Sequence, residues 1–331
     1  MSRHFLEIDD LSPAELASVL DLAELREPPA VLKGQGVALM FEKPSARTRN
    51  SSEMAVVQLG GHPVAIASAE VGLGTRETPE DLARTLACYH RVIAARVYDH
   101  MALVRMAAAI DRAQLFVPVV NLLSDIGHPC QTLADLLTLR QHFGYLKGLS
   151  VAWIGDAANN VCHSLALGCA LVGARLVAAA PPGFGLSAET ISKAVALAGS
   201  KGVISESCDP TEAVGGVDAI VTDVWTSMGQ ESEAEERRRV FSKFQVDEQL
   251  VNRAPSHAVV LHCLPAHRGE EISGEVLDSS ASLVWQEAGN RMHAMRGLLL
   301  WLMGGGTHED NGDAALRECS GAEDLLGEQS R

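Results

Sequence analysis

Apolar residues along this chain recur with two alternating periods, and their order predicts the fold. Residues 37–41, Val-Ala-Leu-Met-Phe, form a continuous apolar run of strand length, and 53–59 carries apolar positions at helical spacing. Upstream, Ser12, Pro13 and Glu15 supply a capping hydroxyl, a proline at the first helical position and a glutamate at the third, and helical spacing continues through Leu25. Thr78, Pro79, Glu80 and Asp81 repeat that start chemistry for a helix reaching His90. Strands are predicted at 63–67, 92–97 and 117–121, and 133–142 reads as an amphipathic helix. The glycine-bounded segment 144–148 marks a boundary, because the alternation restarts with a strand at 150–155 and a helix at 165–172. It continues through strands at 176–180, 203–205, 219–222 and 258–263 to a last helix at 288–303. Alternation of this kind means parallel sheets with helices on both faces, so the fold class is α/β, with two doubly wound parallel-sheet domains.

Composition narrows the partners. At 331 residues, 47% hydrophobic and 21% charged, the chain can build two domains with substantial cores. A formal net charge of -15 argues against nucleic acid or an anionic membrane as partner, since both require a basic face. A small phosphate ligand stays open where arginines concentrate. Seven cysteines, odd in number and without a C-x-x-C pair, point to a reducing compartment. No run approaches the ~18 apolar residues of a membrane span and residues 1–10 hold no apolar signal core, so the cytoplasm is the expected location. The charged stretch 231–239 reads as a solvated helix face, and the acid-rich residues 304–331 as a disordered tail.

The chemistry-bearing residues fall in loops after predicted strands. Ser45, Arg47, Thr48 and Arg49 precede a helix, where unpaired N–H groups, hydroxyls and guanidiniums make an anion site; the same residues also suit a plain cap with solvated arginines. Arg96 near a strand end points into a ligand crevice or forms a surface ion pair. His128 and Gln131 sit three apart at another loop-to-helix junction, although His128 by itself suits a capping or packed role equally. Residues 155–160, Gly-Asp-Ala-Ala-Asn-Asn, occupy the place of a dinucleotide loop but lack G-x-G-x-x-G, which argues against an NAD site. Asp223, Ser227 and Met228 follow a strand on the crevice side, and Cys263 ends the last strand, where a lone cysteine is otherwise a small hydrophobe.

Five segments in order carry a resemblance: 43–49 (Lys-Pro-Ser-Ala-Arg-Thr-Arg), 128–131 (His-Pro-Cys-Gln), 155–160, 223–229 (Asp-Val-Trp-Thr-Ser-Met-Gly) and 262–271 (His-Cys-Leu-Pro-Ala-His-Arg-Gly-Glu-Glu). Over residues 3–303 the chain resembles the aspartate/ornithine carbamoyltransferases. The Ser-Met-Gly loop and Cys263 resemble the ornithine branch, where the aspartate branch has His-Pro-Leu-Pro. The resemblance implies a carbamoyl phosphate-binding domain (1–147), an ornithine-binding domain (148–287), a cleft between them, and a helix (288–303) returning to the first domain. It implies transfer of a carbamoyl group from carbamoyl phosphate to the δ-amine of L-ornithine, giving L-citrulline and phosphate in arginine biosynthesis, by a homotrimer without metal or organic cofactor. A paralogue acting on another amine, or one that binds without turnover, is the rival reading.

Residue by residue, the resemblance implies that Ser45, the Ala46 backbone, Arg47, Thr48 and Arg96 hold the phosphate. Thr48, Arg96 and His128 would donate to the carbamoyl oxygen. Gln131 and the carbonyls of Cys263 and Leu264, before an expected cis Pro265, would accept from the carbamoyl amine, with Arg291 closing the site. Asn160, Asp223, Ser227 and the Met228 backbone would take the α-amino and α-carboxylate groups of ornithine, and the Asp223/Cys263 pair would orient its δ-amine. One departure stands out: Gly72 occupies a position where the family typically has a histidine or glutamine reaching a neighbouring subunit's phosphate site. Either Glu70, Thr75 or Arg76 takes that role, or carbamoyl phosphate binds more weakly.

Overall fold

A computed structural model of the protein describes residues 3–67, 70, 72, 76–199, 203–226 and 231–304. Ser227, Met228, Thr75 and the acidic tail beyond 304 lie outside the described residues. After α1 (Pro13–Ala23), the first unit alternates β1 (Gly36–Phe41), α2 (Ala46–Gln58), β2 (His62–Ala67), α3 (Pro79–Ala87), β3 (His90–Arg96), α4 (His100–Arg112), β4 (Val119–Leu123) and α5 (Pro129–Phe143). The second alternates β5 (Ser150–Ile154), α6 (Asn160–Val172), β6 (Arg175–Ala179), α7 (Ala188–Ala198), β7 (Ile204–Ser207), β8 (Ala219–Thr222), α8 (Ala234–Phe241) and β9 (Val259–His262). The last helix among the described residues is α9 (Val284–Leu302). The sheets have the orders β2-β1-β3-β4 and β7-β6-β5-β8-β9, with every neighbour pair parallel.

The central strands β1 and β5 read as nearly continuous apolar runs because both their faces are covered. Val37, Leu39 and Phe41 of β1 enter one core while Ala38 and Met40 enter another. In β5, Val151 and Trp153 join that first core and Ala152 and Ile154 a third, so one apolar core is continuous between the two units. α9 packs against α1, α2 and α5. The approach to α1 is so close that a Cβ at Gly297 would lie 2.4 Å from the Val19 carbonyl oxygen.

Each sheet has a topological switch, and these positions determine where a ligand can enter. β1 pairs with β2 on one side and β3 on the other, and the ends of β1 and β3 are in register at Phe41 and Arg96. β5 likewise lies between β6 and β8, with Ile154 opposite Thr222. Helices leaving in opposite directions at such a point open a crevice at the carboxyl edge.

Three expectations need correction. α5 is not amphipathic: it is buried continuously from Pro129 to Leu139, because α6, α9 and the first core enclose it. The stretch 231–239 is not only a solvated face, since Arg237 is 5% exposed. Its guanidinium donates to Asp156 and to the Trp225 carbonyl and lies 5.0 and 5.2 Å from the rings of Phe184 and Phe241. Finally, α2, α6 and α9 start earlier than expected, at Ala46, Asn160 and Val284: the polar first turns of α2 and α6 are held by the Ser45 and Asn159 caps, and that of α9 by burial of Val284. At Gly72 the backbone has φ 53°, which favours glycine, and a Cβ there would meet the Arg76 side chain at 2.8 Å. Among the described residues no helix is long and apolar enough to cross a membrane.

The N-terminal segment ties both units to the loop before α5. Glu7 is buried; its carboxylate accepts from Ser164 Oγ at 3.0 Å and from the Ile8 N–H at 2.7 Å. Burial raises this carboxyl from 4.5 to about 8. Below pH 4.5 both states hold the proton; between 4.5 and 8 only the unfolded chain releases it, so the contribution of Glu7 to stability is present at low pH and lost as pH rises through 8. Glu7→Gln removes that loss. Its stability relative to the parent should therefore rise from pH 5 to 8.5, by a few kcal/mol at most. Urea unfolding at the two pH values checks this, and parallel profiles would contradict it.

Candidate active site

At the facing carboxyl edges of the two sheets lies a cavity of about 280 Å³. Ser45, Ala46, Arg47, Thr48, Arg96, His128, Asn160, Asp223, Cys263, Leu264 and Arg291 all line it, together with Lys43, Thr226 and His267. Of the residues singled out from sequence, Arg49 and Gln131 are not in the lining, Arg49 instead donating to Glu53 at 2.8 Å, and Ser227 and Met228 fall outside the described residues.

The first wall is the N-terminus of α2. Ser45 is its cap, accepting from the Thr48 N–H at 3.3 Å, so capping and facing the cavity are compatible roles. Helix geometry leaves the first-turn N–H groups without partners inside the helix, with partial positive charge toward the cavity. Arg47 adds a guanidinium there, and Lys43 lies 4.4 Å from the Tyr98 ring centroid. Arg96 reaches the same space from the end of β3 and is 8% exposed. Burial, followed by the repulsion of Arg291, pulls its guanidinium down to about 10, which still leaves it charged at neutral pH. Its Nε is buried without a partner among the described residues.

Arg291, on α9, is the buried cation between these groups. Its Nη2 donates to Thr48 Oγ1 and its Nη1 to Gln131 Oε1, each at 2.7 Å. Behind it, Gln131 Nε2 donates to Asp135 Oδ1 at 2.7 Å and Glu287 Oε1 at 2.8 Å. Burial raises both carboxyls, Asp135 to about 7, as expected of adjacent acids that share a proton. The apolar repeat of α5 concealed this network; its signal was an aspartate inside a helix otherwise rich in leucine.

His128 occupies the cap position of α5, but its side chain makes no capping bond. Its N–H donates to Ser164 Oγ at 2.9 Å, and its Nδ1 is buried without a partner among the described residues. Burial, then Arg291 and Arg96, push the imidazole well below 6.5. It is therefore neutral at physiological pH and can donate from one nitrogen without adding charge.

The opposite wall is acidic. Asp223, just beyond β8, accepts from Cys263 Sγ at 3.0 Å, from the Val224 N–H at 2.8 Å and from Asn159 Nδ2 at 3.4 Å. Burial first and Asp223 second raise Cys263 well above 9, so it is a thiol donor rather than a thiolate nucleophile. Asn160 is held by a 2.6 Å bond from its Nδ2 to the Ser124 carbonyl. Leu264 has φ 60° and is followed by a cis bond to Pro265.

Arginines and a helix N-terminus on one side, with a carboxylate, a thiol and an asparagine on the other, make a cavity suited to two substrates, one of them an anion, as in a group-transfer enzyme. Comparison with known proteins gives the family. Residues 3–141 match the carbamoyl-P binding domain of aspartate/ornithine carbamoyltransferase and residues 147–302 match its Asp/Orn binding domain. The chain belongs to the aspartate/ornithine carbamoyltransferase family. It is 48% identical over 307 residues to the ornithine carbamoyltransferase of Mycolicibacterium paratuberculosis, covering 91% of this chain and 98% of that one. It is 44% identical over 312 residues to that of Carboxydothermus hydrogenoformans, covering 91% and 98%. The solved ornithine carbamoyltransferase from Pyrococcus furiosus superposes with a TM-score of 0.86 at 42% identity, over 92% of this chain and 98% of its own.

Proposed function

We propose that this protein transfers the carbamoyl group of carbamoyl phosphate to the δ-amine of L-ornithine, giving L-citrulline and phosphate. The observation that carries this reading is the meeting of Arg47, Arg96 and Arg291 with a neutral His128 on one wall and the Asp223–Cys263 pair on the other. In this reading Ser45, Arg47, Arg96 and the α2 N-terminus take the phosphate. Thr48, Arg96 and His128 donate to the carbamoyl oxygen as negative charge grows on it. The carbonyls of Cys263 and Leu264 accept from the carbamoyl amine. Asn160, Asp223, Ser227 and the Met228 backbone hold the amino-acid end of ornithine.

Ornithine enters as a δ-ammonium and must release a proton before its nitrogen lone pair can attack. Enclosure near Asp223 and Cys263 orients the amine. Attack by the free amine forms the new C–N bond as the C=O pair moves onto the carbamoyl oxygen; that pair returns as the C–O bond to phosphate breaks, and the departing phosphate carries away the bonding pair and takes the remaining excess proton from the nitrogen. Arg291 donates to Thr48 Oγ1 and Gln131 Oε1, two atoms assigned to the carbamoyl group; the Thr48 hydroxyl keeps its proton free to donate, whereas Gln131 has to turn into the cavity to reach substrate. Gln131 acts through Arg291 until that happens. A cytoplasmic homotrimer working toward arginine is part of the same proposal; exposed Met54 and Val57, three apart on α2, support self-association, and the related Campylobacter jejuni protein is an anabolic ornithine carbamoyltransferase.

Steady-state assays with ornithine, N-acetylornithine, lysine, putrescine and aspartate test the reading. Citrulline from ornithine at rates far above the others is expected. No turnover at saturating carbamoyl phosphate and ornithine would overturn it.

A further inference from the structure

The turn after β9 carries a backbone conformation that needs an explanation. Leu264 sits at φ 60°, a left-handed position that is unfavourable for a non-glycine residue and persists only when its surroundings over-determine it. Cys263 and Leu264 line the cavity, and their carbonyls are the acceptors assigned above to the carbamoyl amine.

Two buried side chains outside the cavity lining hold this turn. His262 is 1% exposed and Glu271 is 0% exposed. The Leu264 N–H donates to His262 Nδ1 at 2.9 Å. A backbone N–H can only donate, so Nδ1 must present a lone pair and the ring's single proton must sit on Nε2. Nε2 lies 3.0 Å from Glu271 Oε1, which accepts that proton's hydrogen bond. The same oxygen accepts from the His267 N–H at 2.5 Å and so closes the loop from 263 to 271 at its base. The His262 backbone is fixed in turn, its N–H donating to Glu287 Oε2 at 2.8 Å.

We propose that His262 and Glu271 form a positioning pair: Glu271 selects the Nε2–H tautomer, and the bare Nδ1 then holds Leu264 in its left-handed conformation, aiming the carbonyls of Cys263 and Leu264 at the carbamoyl amine. Neither side chain touches substrate. The inference rests on the carbamoyl-transfer reading for its consequence in catalysis, and on geometry alone for the tautomer.

Four variants and one spectrum test it. In His262→Asn the side-chain oxygen can accept from the N–H two residues on, as in an Asx turn, so kcat and the carbamoyl phosphate KM should stay within about threefold of the parent. His262→Phe keeps the ring but removes the acceptor, and should lose about 10- to 100-fold in kcat/KM for carbamoyl phosphate, the range for a buried donor left unpaired, with a smaller change in the ornithine KM. Glu271→Gln retains an acceptor for Nε2–H and should resemble the parent, whereas Glu271→Leu frees the tautomer and should resemble His262→Phe. If His262→Phe fails to fold, nitrogen-15 NMR of the parent enzyme still decides: His262 should show a protonated Nε2 and an unprotonated Nδ1 at pH 7. A proton on Nδ1, or parent-like kinetics in a folded His262→Phe, overturns the proposal. The spectrum needs no substrate, so a failed citrulline assay and a failed tautomer are separable results.

Discussion

Arg96→Leu should abolish carbamoyl transfer while leaving the fold intact or more stable. Arg96 is the last residue of β3, in register with Phe41 at the switch between β1 and β3, and it lines the cavity beside the α2 N-terminus. It is assigned two tasks there, binding the phosphate and donating to the carbamoyl oxygen. Loss of one such donor costs about 10²- to 10³-fold in kcat. Loss of a buried charge facing an anion adds about 2 to 5 kcal/mol to binding. Together kcat/KM for carbamoyl phosphate should fall by about 10³-fold or more. The free enzyme should respond in the opposite sense. Burial and the nearby Arg291 and Arg47 all work against the charged form of Arg96, so an apolar side chain relieves both desolvation and repulsion. The thermal midpoint of the ligand-free variant should match or exceed that of the parent, and the stabilisation given by added phosphate should shrink. A variant that keeps parent-like kcat/KM, or one that unfolds at a lower temperature, would contradict this account.

Asp223→Asn should act on the other substrate. Its carboxylate is buried in the wall proposed for ornithine and accepts from Cys263, Val224 and Asn159. Asparagine preserves the size and removes the charge. The ornithine KM should rise by about 10²-fold, within the range for truncating one member of a buried charge pair, while binding of a phosphate analogue changes little. The thiol provides a second readout. Asp223 contributes, after burial, to raising Cys263, so the asparagine variant should lower the thiol toward its ordinary range. Alkylation of Cys263 at pH 9, followed at the peptide level because Cys88 and Cys208 are exposed, should be faster in the variant. Equal alkylation rates would show that Asp223 does not act on the thiol.

These two experiments separate the walls of the cleft, and the pair behind Arg291 links them. Glu287 accepts from Gln131 of α5 and from the His262 N–H at the end of β9, so one carboxyl group touches an element of each unit. Movement of the units relative to one another would have to pass through that contact.

Much of this architecture was legible in the chain because its cause is local. Strand-length apolar runs such as 37–41 and 150–154 report burial on both faces, and the start chemistry at Ser12 and Thr78 reports helices through caps that the structure contains. The anion loop was legible for the same reason, as hydroxyls and arginines gathered within a few residues ahead of a helix. Other features depended on residues far apart in sequence. Whether Arg96 faced a crevice or solvent depended on β3 lying beside β1, and whether His128 was a cap or a cavity residue depended on Arg96 and Arg291 coming to surround it. Arg237 looked solvated because its neighbours in sequence are charged, yet Asp156, Phe184 and Phe241 bury it. Gln131 stood in a cavity motif, but Asp135, Glu287 and Arg291 take up its amide behind the wall. By itself, then, the sequence determined the elements, the sheet class and the residue types at each strand end, since periodicity and capping are properties of neighbours. Only the tertiary structure decided which side chains share a cavity and which protonation states they hold, because burial and charge proximity are set by contacts between residues distant in sequence, such as Thr48 and Arg291, 243 positions apart.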